Sequence, residues 1–193
     1  PYLLNKKKYN NMATCELSAG FGLQCKDGIG GIKAIFIQQH EDFLTGVTAD
    51  ASSEEIDGLP TKTIYQYTLP KHTGMFTEEV ASNVENGTIF YTQTVTATFH
   101  KLSAPRRKQL ELVAKNRLVV FVQDNNDNIW MVGRIDGAEV TAASTATGTA
   151  KGDLNGYTIT FTAEEAHKAY RLESFTSIPF DNFGGITVVA PTI

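Results

Sequence analysis

Apolar and polar residues alternate with a period of two along much of this chain, the pattern of half-buried β-strands. The alternation is cleanest over residues 88–100. Ile89, Tyr91, Gln93, Val95, Ala97 and Phe99 fall on one face, apolar apart from Gln93. Thr88, Phe90, Thr92, Thr94, Thr96, Thr98 and His100 fall on the other, which predicts a threonine face that is exposed or lightly packed. A first strand is predicted at 32–37, after the glycine-rich run Cys25-Lys26-Asp27-Gly28-Ile29-Gly30-Gly31, and a second at 63–69, ended by Pro70. Residues 117–123 (Arg-Leu-Val-Val-Phe-Val-Gln) are apolar without alternation, which predicts a strand buried on both faces. Residues 124–128 form a turn and residues 129–135, with Trp130, the return strand. Late strands are predicted at 157–162, 167–172 and 186–190, with 163–166 too short for a helix.

Residues 103–116 break the alternation. Ser103 is a suitable N-cap and Pro105 is tolerated in a first turn. Leu110, Val113 and Ala114 then form an apolar stripe at helical spacing, and Lys115 suits the C-terminal end of the helix dipole. Asn86-Gly87, Asp136-Gly137 and Asn155-Gly156 are tight-turn signals, the last the strongest for a hairpin. Residues 140–149 are almost all Ala, Thr, Ser and Gly, a small-residue stretch able to lie close to another backbone. Residues 41–62 are acidic, small and turn-rich and are read as a long loop with room for a short strand, and residues 71–87 as another polar loop. The expected fold is mainly β: an antiparallel sandwich or near-closed barrel with one flanking helix at about 103–116. Residues 1–11 are read as a flexible arm ahead of a single domain over 12–193.

Seventeen Lys and Arg against twenty-one Asp and Glu give a net charge of −4, which does not favour nucleic-acid binding by the whole surface. The charge is uneven. Lys6, Lys7 and Lys8 make the first eleven residues basic, residues 12–100 are strongly acidic, and the remainder is balanced. Glu54, Glu55 and Asp57, with Glu78 and Glu79, are either solvated or form an acidic patch facing a polyanion or a basic neighbour. Arg106, Arg107 and Lys108 stand in the first turns of the predicted helix, where the dipole disfavours them, and are candidates for contact with an acidic partner. Pro1-Tyr2-Leu3-Leu4 ahead of three lysines has the reverse order of a secretory signal, and no run of apolar residues is long enough to cross a bilayer as a helix.

Candidate chemistry is sparse. Cys15 and Cys25 fit no zinc spacing, and a disulfide between them has no support in the sequence. His40, His72, His100 and His167 are scattered. Asp124, Asn126 and Asn128 match the first three ligand positions of a calcium loop, but Ile129 and Ile135 stand where its glycine and closing acid belong, so a hairpin turn is expected. Trp130, Phe90, Tyr91, Phe99, Phe121, Tyr157 and Phe161 are read as core aromatics. No catalytic, cofactor or metal residue is assigned, and the chain is read as a non-enzyme.

The order of elements resembles the tube-forming proteins of bacteriophage tails. The likeness is carried by residues 101–105 through the helix to Arg117-Leu118-Val119-Val120-Phe121-Val122, by Ile129-Trp130-Met131-Val132-Gly133 and by Asp136-Gly137-Ala138-Glu139-Val140. It closes with Gly148 and with Gly152-Asp153-Leu154-Asn155-Gly156-Tyr157-Thr158-Ile159-Thr160-Phe161. Gly28-Ile29-Gly30-Gly31-Ile32 is also similar to virion structural proteins of phages infecting gut Bacteroidetes. The resemblance implies a virion protein assembled in the host cytoplasm, whose copies close into a ring, hexameric in the family, around a channel for DNA. Its partners would be itself, other tail or connector proteins, and DNA passing without sequence recognition; no membrane is involved. Thr92, Thr94, Thr96 and Thr98 would face the lumen. Arg106, Arg107, Lys108, Glu54, Glu55, Asp57, Glu78 and Glu79 would lie at subunit interfaces. The chain departs from the family in its basic arm and in lacking an obvious hydrophobic ring-docking hairpin. The alternative is a monomeric β-sandwich that binds carbohydrate or a cell surface; a third class, an enzyme with a site built by loops, has no residue to support it.

Overall fold

A computed structural model describes residues 20–23, 25–50 and 53–192. The predicted arm at 1–11 and Cys15 lie outside them. The described residues fold into two β-sheets and one α-helix, a mainly-β sandwich and not a closed barrel.

The larger sheet has eight strands in the order β12-β4-β1-β7-β8-β11-β3-β2. Its centre is β1 (Ile32–Gln39) between β4 (Thr63–Thr68) and β7 (Leu118–Asp124), all antiparallel, with β8 (Ile129–Val132) returning along β7. The rim is made by β2 (Thr48–Ala49), β3 (Glu55–Gly58), β11 (Tyr170–Leu172) and β12 (Thr187–Val189). The smaller sheet has the order β5-β6-β10-β9, all antiparallel: β5 (Gly74–Asn83), β6 (Thr88–His100), β9 (Glu139–Ala146) and β10 (Gly156–Glu165).

The unbroken apolar run of β7 follows from its place in the middle. Leu118, Val120 and Val122 point at the smaller sheet, where they join Ile35, Ile37, Val95, Ala97, Ile159 and Phe161. Val119 and Phe121 point the other way, into a second core with Phe36, Phe43, Ile64 and Met131. That second core is closed by the C-terminal loop, whose Phe180 ring stands edge-on to Phe36 and Phe121 at 5.0 and 5.3 Å. A strand with a core on each side must be apolar at every position.

Helix α1 (Ala104–Lys115) begins where expected, with the Ser103 hydroxyl accepting from the Arg106 N–H at 3.4 Å. It buries Val113 against the first core and leaves Ala114 exposed, so its stripe is narrower than the sequence suggests.

Several expectations are corrected. Residues 71–86 are not a loop: β5 occupies Gly74–Asn83 and pairs with β6 over ten residues, a long ladder that overrides weak β-propensity. Residues 45–62 contain β2 and β3. Residues 140–149 are mostly β9, and residues 163–165 continue β10, because β6 offers partners that far. Asn155-Gly156 is not a two-residue turn. The connection runs from 147 to 155 and is held by Asp153, whose carboxylate accepts from the Thr149 and Ala150 N–H groups at 2.8 and 2.7 Å. Gly156 instead lets β10 approach β6, since a Cβ there would stand 2.1 Å from the Phe99 carbonyl oxygen. Phe90 is not core but 38% exposed.

Candidate assembly surface

The outer face of the smaller sheet is built by the alternation of its strands. β6 places Thr92, Thr94, Thr96 and Thr98 there, opposite Val95 and Ala97 in the core. The register sets Thr94 beside Thr162, Thr96 beside Thr160 and Thr98 beside Thr158 of β10. On the other flank β5 sets Thr77 beside Thr94. The hydroxyls satisfy one another across the strands: Thr98 to Thr158 at 3.2 Å, Thr96 to Thr160 at 3.4 Å and Thr141 to Thr162 at 2.9 Å. The result is a polar, uncharged ladder stiffened by β-branched side chains. None of the four strands contains a lysine or arginine, and Glu79 and Glu164 flank Thr92 at one end of the face.

At that same end the sheet thins to two strands. β10 stops opposite Tyr91, so residues 81–83 of β5 and 88–90 of β6 continue alone as an arm, with Val80 at its base. Its turn, residues 84–87, is closed by the Asn83 side chain accepting from the Asn86 N–H at 3.0 Å and by Gly87 at φ +64°. Val80 (58% exposed), Val84 (92%) and Ile89 (57%) carry apolar surface out along it. The β5–β6 hairpin is thus made in part from a segment that the sequence reading gave to a loop.

One edge of the smaller sheet is also open among the described residues. β9 is the outer strand of its sheet, exposed at nearly every residue, and its only charge is Glu139. An edge of this length with a single charge at its start is a template for another chain.

The charged residues singled out from the sequence are placed as follows. The Arg106 guanidinium donates to the carbonyls of His100 and Lys101 at 2.6 and 3.4 Å, joining the helix to the end of β6. Arg107 and Lys108 are exposed. Glu54 pairs with Lys168 at 2.5 Å, which holds its carboxyl below the ordinary range and the ammonium above its own. Glu55 is bound by Arg171, Asp57 accepts from the Thr48 hydroxyl at 2.6 Å, and Glu78 accepts from the Ala169 N–H at 2.5 Å. Among the described residues no ion pair joins the helix bases to these acids; of the acids, Glu79 is the one left facing solvent on the threonine sheet.

Three positions matter more than their sequence signal suggested. Gln93, the one polar residue on its face, accepts from Gly133 N–H and donates to the His167 carbonyl, both at 3.2 Å. Glu165, 2% exposed, accepts from Ile135 and Asp136 N–H at 2.9 and 3.0 Å. Together they secure the turn between β8 and β9. Asp181 does the same for the C-terminal loop, accepting from Thr176, Ser177 and Ile178 N–H at 2.9, 2.7 and 3.1 Å; those bonds hold its carboxyl below the ordinary range.

A groove of about 880 Å³ opens between β4, the start of α1 and the end of β6. Tyr65, Tyr67, Leu69, Phe99, Leu110 and Tyr157 line it, with Arg106 and Lys101 at its border. The Tyr67 and Phe99 rings lie 6.0 Å apart, and burial pushes the Tyr67 hydroxyl pKa up. Among the described residues, no cluster of three His, Cys, Asp or Glu side chains could hold a metal ion.

No protein-family model, curated protein or solved structure matches this chain.

Proposed function

We propose that this chain is a virion structural protein of a bacteriophage that assembles with copies of itself into a ring, hexameric in the form we expect, forming a tail tube or connector channel for DNA. The observation that carries the reading is the base-free threonine face. A duplex carries a charge every ~1.7 Å, and lysine or arginine on a channel wall would bind it. A stiff hydroxyl ladder with acids at one end lets it pass by offering no counter-charge. The exposed apolar arm and the open β9 edge supply surfaces for sister subunits, and the element order resembling tail-tube proteins supports the same reading.

Electron microscopy and light scattering of the purified protein test this. Rings or tubes with a central pore are expected. A stable monomer at high concentration would overturn it. That outcome would favour a second reading, a monomeric surface-binding module, because the groove carries four aromatic rings of the kind that stack on saccharides; binding of the monomer to a glycan array would then support it.

A further inference from the structure

We propose that residues 20–23 of one copy lie as an added strand along the open edge of β4 in a neighbouring copy, seating Phe21 and Leu23 in the apolar groove. This rests on the self-assembly reading above and assigns it a specific contact.

The receiving side is a sheet edge left unfinished. β12 pairs with β4 only from Thr63 to Tyr65. The chain then passes through Ala190 to Pro191, which has no N–H to extend a ladder. Residues 66–68 therefore keep an outer edge with no strand partner among the described residues. The groove lies along that edge, and Pro191 and Thr192 form part of its far wall. An extended segment placed there gains backbone hydrogen bonds from β4 and apolar burial from the groove at once, the two terms that drive strand addition.

The donor side is a segment with no place in its own molecule. Residues 20–23 and 25–30 belong to no strand or helix. Phe21 and Leu23 are as exposed as in an isolated peptide, at 108% and 105%. Two residues apart, they share one face of an extended chain, the spacing a groove beside a strand accepts. Ile29 and Gly30 are fastened to the β7–β8 turn. Asn126 donates to the Ile29 carbonyl and accepts its N–H, both at 2.8 Å, and Asn125 donates to the Gly30 carbonyl at 2.7 Å. The segment thus starts from a fixed point. Eight residues from Ile29 to Phe21 span at most about 29 Å. A domain of this length has a radius of gyration near ~16 Å, so a neighbour's surface is within reach. Both halves occur in each chain and are unjoined within it, so the contact is heterologous: each copy gives one segment and receives another, as ring closure needs.

The test places photoreactive benzoylphenylalanine at position 21 in the full chain and irradiates an equal mixture of ¹⁵N-labelled and unlabelled protein. Expected are cross-linked peptides of mixed isotope that contain Tyr65, Tyr67 or Leu110. Same-isotope links alone would mean the segment folds onto its own groove, and links to other surfaces or none would mean the groove is not its site; each overturns the proposal. A second variant, F21D with L23D, is expected to reduce the assembled fraction at least tenfold with an unchanged thermal midpoint. Rings with no groove cross-link would leave the assembly reading standing and remove this contact. Monomers with no cross-link would remove both.

Discussion

At the scale of single residues, the molecule uses a few buried or capping polar groups to hold turns against apolar cores. Gln93 and Glu165 reach from the small sheet to the turn after β8, and removing either acceptor would leave backbone N–H groups without partners, at about 1–3 kcal/mol each. Asp181 works at the surface and gives a pH signature. Its native carboxyl is held below its unfolded value, so its stabilisation is full above the unfolded pKa of about 4 and is lost as pH falls through the lower native value. The variant D181N, neutral at every pH and one acceptor poorer, should melt a few degrees below the parent at pH 7, and the two melting temperatures should converge in strong acid. A gap independent of pH would show that the loop carrying Phe180 and Phe183 is not held by the charged form.

At the scale of elements, the β5–β6 hairpin joins fold to function. Its inner half is core, through Phe76 and Val95. Its outer half carries Val80, Val84 and Ile89 into solvent. A two-stranded ribbon is marginal alone, so an arm with an apolar face is suited to docking on a partner. Changing Val80 and Ile89 together to Asp should leave stability within about 0.5 kcal/mol, since both are exposed. The assembled fraction, read by sedimentation velocity, should fall by tenfold or more. Undiminished assembly would exclude the arm from subunit contacts. The helix bases divide at this scale too: Arg106 is committed to the carbonyls ending β6, which leaves Arg107 and Lys108 as the pair free to meet a neighbour.

At the scale of the whole molecule, lysine and arginine are kept off the sheet that the proposal turns toward DNA. Among the described residues, lysines and arginines lie on the helix, the large sheet and the loops, and the threonine sheet has none. Replacing Thr94, Thr96 and Thr98 together by Lys should preserve the fold, since all three are half-buried with their side chains on the outer face. In a gel-shift assay at low salt the parent should not retain duplex DNA. The triple variant should retain it, with affinity falling steeply as salt rises. Equal retention by both would contradict a non-adhesive lumen.

The sequence by itself determined where the main strands lie, that β7 is buried on both sides, and that one capped helix follows β6. These are local consequences of side-chain period and capping, and they need no knowledge of the partner strand. It also pointed to the threonine face, because a period of two assigns faces whatever the sheet order. The tertiary structure alone decided the rest. Residues 74–83 and 139–146 lack strong β-propensity and are strands because β6 and β10 offer long ladders to pair with. The Asn155-Gly156 signal yielded to the close approach of β10 to β6. The groove exists because β12 ends early beside β4, and β12 meets β4 across more than a hundred residues of chain. Pairings at that separation are fixed by loop closure and shared burial, and neither is written in any local pattern.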